Sequence, residues 1–194
     1  MVKIGVISVQ GDVSEHISSA KKAMDELGIS GDVTAVRRIK DIEGIDALII
    51  PGGESTTISR IMKKEGLIDW IKKRHEENQI PIMGTCAGCV ILAKEVEDGE
   101  IEGLKLMDMR VRRNAFGRQR ESFEALIDVE GFEKPFHAVF IRAPIIEDVW
   151  GECKAIAKVD DRIVGAIQDK KIALSFHPEL TSDYRFHEMF FDMI

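Results

Sequence analysis

The chain has 194 residues, with 27 Lys+Arg against 34 Asp+Glu and a formal net charge of −7. At roughly 150 residues per domain this is one domain over residues 1–194, long enough to bury a substantial core; the 44% hydrophobic and 31% charged residues are those of a folded chain, not a disordered one. The acidic excess argues against general binding to nucleic acid or an anionic membrane, both of which need positive charge. No apolar run has the length of a membrane span. The opening MVKIGVISVQG reads as a strand, without the charged leader and cleavage site of a secretory signal. Three cysteines, Cys86, Cys89 and Cys153, make no disulfide framework, so a reducing cytoplasm is expected.

The first half alternates strand and helix patterns. Val2 to Val9 is a nearly continuous apolar run, as in a parallel strand buried on both faces. Gly11 ends it, and Asp12 with Glu15 three residues on predicts a capping box. Ile17, Ala20, Met24 and Leu27 follow at helical spacing, and Gly28 sits where a helix stops. Val33 to Ile39 and Asp46 to Ile50 are further strands. A helix is expected from about Thr56, with Ile58, Ile61 and Met62 inward, continuing after a break near Gly66 through Trp70 and Ile71. Ile80 to Met83 is a short strand, and Cys86 to Val96 reads as a helix. The second half reads as shorter strands: Leu106 to Val111, Phe123 to Val129, Ala138 to Ile141, Ala155 to Val159, Ile163 to Gln168 and Ile172 to Phe176. Asp169-Lys170 turns between the last two, and Tyr184 to Ile194 closes as a helix. The pattern predicts an open, largely parallel α/β sheet with added antiparallel strands, whose ligands bind at the carboxyl ends of the strands.

Three turns there carry candidate chemistry. Gly84-Thr85-Cys86-Ala87-Gly88 is a cysteine version of the G-x-S-x-G nucleophile elbow: a tight strand-to-helix turn lifts the middle residue above the sheet. It places the sulfur near a helix start, which favours thiolate, and aims the Ala87 N–H at a developing oxyanion. The alternatives are a buried structural cysteine, or a redox C-x-x-C formed with Cys89; a zinc site would need a second cysteine pair. Ser175-Phe176-His177-Pro178-Glu179 offers a base and a carboxylate to fix its tautomer. Read as an extended segment, it puts His177 and Glu179 on one face. His16, His75, His137 and His187 lack a comparable carboxylate arrangement in the sequence. Pro51-Gly52-Gly53-Glu54-Ser55-Thr56-Thr57 lacks P-loop spacing, and beside a cysteine elbow it reads as the other half of an oxyanion hole, with the Gly53 N–H opposite that of Ala87.

Together these pieces resemble the class I (triad) glutamine amidotransferases and, more narrowly, the PdxT/SNO family of pyridoxal 5′-phosphate synthase glutaminase subunits. The narrower resemblance rests on Val9-Gln10-Gly11, Pro51 to Thr56, Arg113 to Gln119, Phe140-Ile141-Arg142-Ala143-Pro144 and Phe176 to Thr181, and it spans nearly the whole chain. It implies a flavodoxin-like core, Cys86 as nucleophile, His177 as base and Glu179 as its orienter. It also implies a glutamine site at Gly52, Gly53, Glu54, Arg113, Ile141 and Arg142. The implied reaction is hydrolysis of L-glutamine to glutamate and ammonia, with no metal or organic cofactor. The implied partner is a (β/α)8-barrel synthase subunit in a large ring-shaped complex, whose docking orders the Gly52-Gly53 peptide. A glutaminase for a different synthase, or a non-enzymatic docking module, are the alternatives. Cys89 and Asp12 depart from the residues common in the family, and Asp12 adjoins the partner-facing Gln10-Gly11 region.

Overall fold

The computed structural model describes residues 1–78, 80–97, 99, 101–113, 115 and 122–194. Five strands form a parallel block: β1 (Val2–Ile7), β2 (Gly31–Val36), β3 (Ala47–Ile50), β4 (Ile82–Thr85) and, from near the chain's end, β12 (Lys171–Leu174). Their order is β2-β1-β3-β4-β12. The sheet continues from β12 through antiparallel neighbours: β11 (Arg162–Gln168), then β9 (Ile145–Val149) and β6 (Met107–Arg112). Next, β5 (Ala93–Val96) runs parallel to β6, while β10 (Lys154–Val159) pairs with β11. A separate hairpin consists of β7 (Ser122–Ile127) and β8 (Phe136–Ile141).

Successive strand residues point to opposite faces, and both faces of the parallel block are buried, which explains the unbroken apolar runs. Ile7, Leu48, Ile50, Ile82 and Ala173 pack with α3 (Ser55–Lys64), α4 (Leu67–Asn78) and α5 (Ala87–Leu92). Ile4, Val6, Ile49, Met83, Ile172 and Leu174 face the other core, with α1 (Val13–Glu26) and α6 (Arg185–Phe191). That second core is aromatic. Phe136, Phe140, Phe176 and Phe186 pack with ring centroids 4.8–5.7 Å apart and tie the β7–β8 hairpin to the end of the sheet. None of the described helices is long and apolar enough to cross a membrane.

The expected architecture holds, with five local corrections. The strand expected over Val33 to Ile39 ends at Val36, and Ile39–Ile42 forms a short helix, α2, that buries Ile42. The helix expected over Cys86 to Val96 is only the six-residue α5; Ala93 turns to φ −65°, ψ 141°, and the chain enters β5. The strand β9 was not anticipated, because Glu147 and Asp148 break its apolar run; they face outward and pair with Arg112 (2.7 Å) and Arg110 (3.5 Å) on β6. The predicted capping box at Asp12 does not form: Asp12 stands at the N-cap of α1 with no side-chain cap bond. The segment after His177 is not extended, since Pro178–Leu180 forms one 3-10 turn.

Candidate active site

Strand order brings the reactive turns together. The register pairs Leu174 with Thr85 and Ile50 with Gly84, so the residues following β3, β4 and β12 emerge side by side. Beyond β1, the Gln10–Asp12 loop lies against the β3 turn: a Cβ on Gly11 would stand 1.8 Å from the Gly52 carbonyl oxygen, so glycine is required there.

The elbow at Cys86 is strained, at φ 49° and ψ −103°, outside the regions an L-residue ordinarily occupies. Its tightness explains the flanking glycines. A Cβ on Gly84 would lie 2.6 Å from the Gly88 backbone, and one on Gly88 would lie 2.1 Å from the Ile50 carbonyl oxygen. The Cys86 N–H donates to the Leu174 carbonyl (2.8 Å), which locks the elbow to β12.

His177 follows β12 and is fixed by its own N–H donating to the Val139 carbonyl of β8 (2.9 Å). The 3-10 turn swings Glu179 back, so that His177 Nδ1 donates to Glu179 Oε1 at 2.6 Å, with both side chains buried. The expected pairing therefore exists, made by a turn and not by strand alternation. Burial disfavours a charged imidazole, but the Cys86 sulfur and then the Glu179 carboxylate outweigh it and push His177 up to about 10. Burial would raise Glu179, but His16 and His177 outweigh it and bring its carboxyl down to about 2. The Cys86 sulfur is a donor to the Ile141 carbonyl (3.7 Å), and His177 Nε2 is buried without a hydrogen-bond partner among the described residues.

Two further groups meet this assembly. His16 of α1 was set aside in the sequence for want of a carboxylate, yet its Nε2 lies 3.3 Å from Glu179 Oε1 and 2.9 Å from Thr85 Oγ1. Nothing local marks it; only the packing of α1 against the His177 turn reveals it. The Asp12 side chain reaches within 3.6 Å of His177 Nδ1 instead of capping its helix. Asp12, His177 and Glu179 thus bring three ligand-type atoms within 4.8 Å of one another. Glu179 Oε1 already accepts from His177 and has His16 Nε2 at 3.3 Å, which favours holding protons over holding a metal.

A cavity of about 460 Å³ opens over Cys86 and His177, with Gly53, Ala87, Arg113, Ile141 and Arg142 on its walls. Gly53 adopts φ +141°, a conformation that suits glycine. Gly52 packs against the His177 ring, where a Cβ would stand 2.6 Å from Cε1. Glu54 borders the cavity, but its carboxylate caps α3 by accepting from the Thr56 and Thr57 amides, and these bonds with the Thr57 hydroxyl hold it at about 2. Arg113 Nη1 donates to Thr56 Oγ1 (3.1 Å). Arg142 sits at φ 46°, and the neighbouring Ile141 carbonyl is 3.7 Å from the Cys86 sulfur. Of the Arg113 to Gln119 block, Asn114 and residues 116–119 lie outside the described residues. Cys89 is fully buried, and burial pushes its thiol far up, so it has none of the thiolate character of a redox partner.

A cysteine elbow on an open α/β sheet, with a histidine just beyond the adjoining parallel strand, is the plan of the class I glutamine amidotransferases. The chain belongs to the SNO glutamine amidotransferase family, whose model matches residues 6–194. It is 53% identical over 193 residues to the pyridoxal 5′-phosphate synthase subunit PdxT of Thermococcus gammatolerans, covering 98% of each chain. It is 52% identical over 197 residues to the PdxT subunit of Pyrococcus furiosus, covering 100% of each. A solved glutamine amidotransferase superposes with a TM-score of 0.89 at 44% identity, covering 98% of this chain and 97% of the other.

Proposed function

We propose that this chain is the glutaminase subunit of a pyridoxal 5′-phosphate synthase, a single domain over residues 1–194 that hydrolyses L-glutamine and delivers ammonia to a separate synthase subunit. The observation that carries the reading is that Cys86 and His177 face one cavity with Glu179 bonded to the far side of the imidazole, although 90 residues of chain lie between the first two. Family membership and the PdxT relatives supply the substrate and the type of partner.

The chemistry follows from the charges. The Cys86 thiolate attacks the side-chain carbonyl carbon of glutamine, and the carbonyl electron pair moves to oxygen. The N–H groups of Gly53 and Ala87 meet that oxyanion; one such donor is worth about 3 kcal/mol of barrier. The His177 imidazolium gives its Nε2 proton to the departing nitrogen, which leaves as ammonia with cleavage of the C–N bond. His177 then takes a proton from water, whose oxygen attacks the γ-glutamyl thioester. Collapse breaks the C–S bond and releases glutamate and the thiolate. Glu179 keeps the His177 proton on Nδ1 when the ring is neutral and stabilises the imidazolium when it is charged. Arg113 and Arg142 are cationic neighbours for the α-carboxylate, while Gly52, Glu54 and Ile141 shape the glutamine site.

In this reading the synthase partner is a (β/α)8 barrel, the assembly is a ring-shaped complex in the cytoplasm, and docking reorients the Gly52-Gly53 peptide. Two glycines give that peptide the freedom to turn. The test is Cys86→Ala assayed for glutamate release from glutamine with the synthase subunit present. Loss of turnover and of covalent labelling by a glutamine-like electrophile is expected; retained turnover refutes the assignment.

A further inference from the structure

We propose that His16 is a positioning residue of the catalytic assembly: its Nε2–H holds the Glu179 carboxylate in the orientation that receives the His177 proton. The inference rests on the triad reading above and adds a fourth group to it.

Glu179 is buried, and its two oxygens are not equivalent. Oε1 lies 2.6 Å from His177 Nδ1 and 3.3 Å from His16 Nε2, whereas Oε2 has no hydrogen-bond partner among the described residues. His16 is therefore the one described side chain, apart from the base itself, with a polar contact to this carboxylate. Without it, the polar contact left to Glu179 would be with the group it is meant to orient.

The proton must sit on Nε2 of His16. Glu179 is held far below the ordinary carboxylate range and offers only lone pairs. A bare Nε2 would face Oε1 with a second lone pair at 3.3 Å, a repulsive contact in a dry site. With Nε2–H in place, the shorter contact of that hydrogen is the Thr85 hydroxyl at 2.9 Å, and the Glu179 carboxylate at 3.3 Å is a charged neighbour attracted to the same N–H. His16 Nδ1 is buried with no partner, and a hydrogen there would be an orphaned donor.

The placement also links three parts of the site. Thr85 immediately precedes Cys86, Glu179 follows His177, and His16 lies one turn into the helix that begins at Asp12. The chain Thr85–His16–Glu179–His177 thus joins the elbow strand to the base through α1.

Two measurements test this. In protein labelled with 15N histidine at pH 7, the His16 signal, assigned by its loss in His16→Gln, is expected to show a proton bonded to Nε2; a proton on Nδ1 alone overturns the proposal. This needs no variant that must fold to be informative beyond the assignment. Kinetics on the full chain with its synthase subunit supply the second. His16→Leu, which removes the donor, is expected to lower kcat by about 10- to 100-fold, the size of one hydrogen bond to a charged acceptor, with KM within twofold. His16→Gln, which restores an N–H near the Nε2 position, is expected to recover at least half of that loss on a logarithmic scale. An unchanged kcat in His16→Leu, or a Gln variant as slow as the Leu variant with both melting like the native protein, overturns the positioning role. Cys86→Ala in the same assay separates the levels: if it retains turnover, the triad reading itself fails, whereas inactive Cys86→Ala beside fully active His16→Leu removes only His16.

Discussion

Gly88→Ala sets two physical effects against each other, and their magnitudes decide the sign. Gly88 is the second residue of α5, and alanine is favoured over glycine in a helix by about 1 kcal/mol. Its φ is not positive, so backbone conformation does not forbid the change. The obstacle is space. The added Cβ would stand 2.1 Å from the Ile50 carbonyl oxygen, against the 3.4 Å at which ordinary contact begins, so about 1.3 Å of separation must be found between α5 and β3. The atom in the way is backbone in the middle of the sheet, and it cannot rotate aside. Overpacking of this kind costs about 1–3 kcal/mol, and the upper end applies where backbone must move. The net expectation is a loss of about 1–2 kcal/mol, or about 2–8 °C in Tm for a chain of this size. Activity should suffer more than stability. Displacing the helix moves the Ala87 amide and the Cys86 sulfur relative to His177, and a misplacement of about 1 Å costs about 100-fold in rate. Thermal melting together with glutamine turnover in the complex provides the check. A variant that melts at or above the native temperature, with kcat within threefold of native, would refute the argument that close approach of α5 to Ile50 sets the elbow.

Other expectations follow from the same coordinates. Cys89→Ala should leave glutamine turnover within threefold of native, because Cys89 is fully buried and its thiol is pushed up by burial; loss of activity that tracks oxidant exposure in the native protein would instead support the C-x-x-C reading. Arg142→Ala should raise KM for glutamine about 10-fold or more with a smaller change in kcat, through loss of a cationic partner for the α-carboxylate, and an unaltered KM would remove Arg142 from the binding site. His177 is raised from 6.5 to about 10, so its contribution to stability is fully present below pH 6.5 and is lost as pH rises through 10. Glu179 is lowered from 4.5 to about 2, so its contribution is present above pH 4.5 and is lost as pH falls through 2. Urea unfolding across pH should show Glu179→Gln lowering the plateau between these limits, and superimposable curves for native and variant would count against the buried pair.

What could be read in advance was what is written locally. The strands β1, β3 and β12 announce themselves as apolar runs because both their faces are covered, and Gly28 marks the end of α1 because it must adopt φ +68°. The elbow was legible because a tight turn imposes glycine at fixed offsets from Cys86. What could not be read depends on distant partners. The acidic residues of β9 make sense only opposite Arg110 and Arg112 of β6. Leu92 and Ala93 carry no helix-stop signal, because it is pairing with β6 that draws Ala93–Val96 into a strand. His16 is an ordinary inward position on α1 until the Glu179 turn is packed against it. Asp12 suits an N-cap by residue type, but the His177 ring lies within its reach.

The reactive geometry is itself a consequence of core packing. Cys86 and His177 face one cavity because β4 and β12 are paired with Leu174 opposite Thr85. A slip of one residue in that pairing would move the His177 turn by about 3.3 Å relative to the sulfur, a full atom diameter out of place. It would also reverse the faces of β12, sending Ile172 and Leu174 out of the aromatic core and Ala173 into it. Two buried aliphatic side chains would then compete for the smaller space left by one alanine, at a cost of several kcal/mol by overpacking on one face and cavity on the other. The large-small-large order of Ile172, Ala173 and Leu174 therefore sets the distance between Cys86 and His177, although none of the three lines the cavity over them. Volume-conserving changes at Ile172 and Leu174 should be tolerated, and a change that inverts the large-small order should abolish turnover before it abolishes the fold.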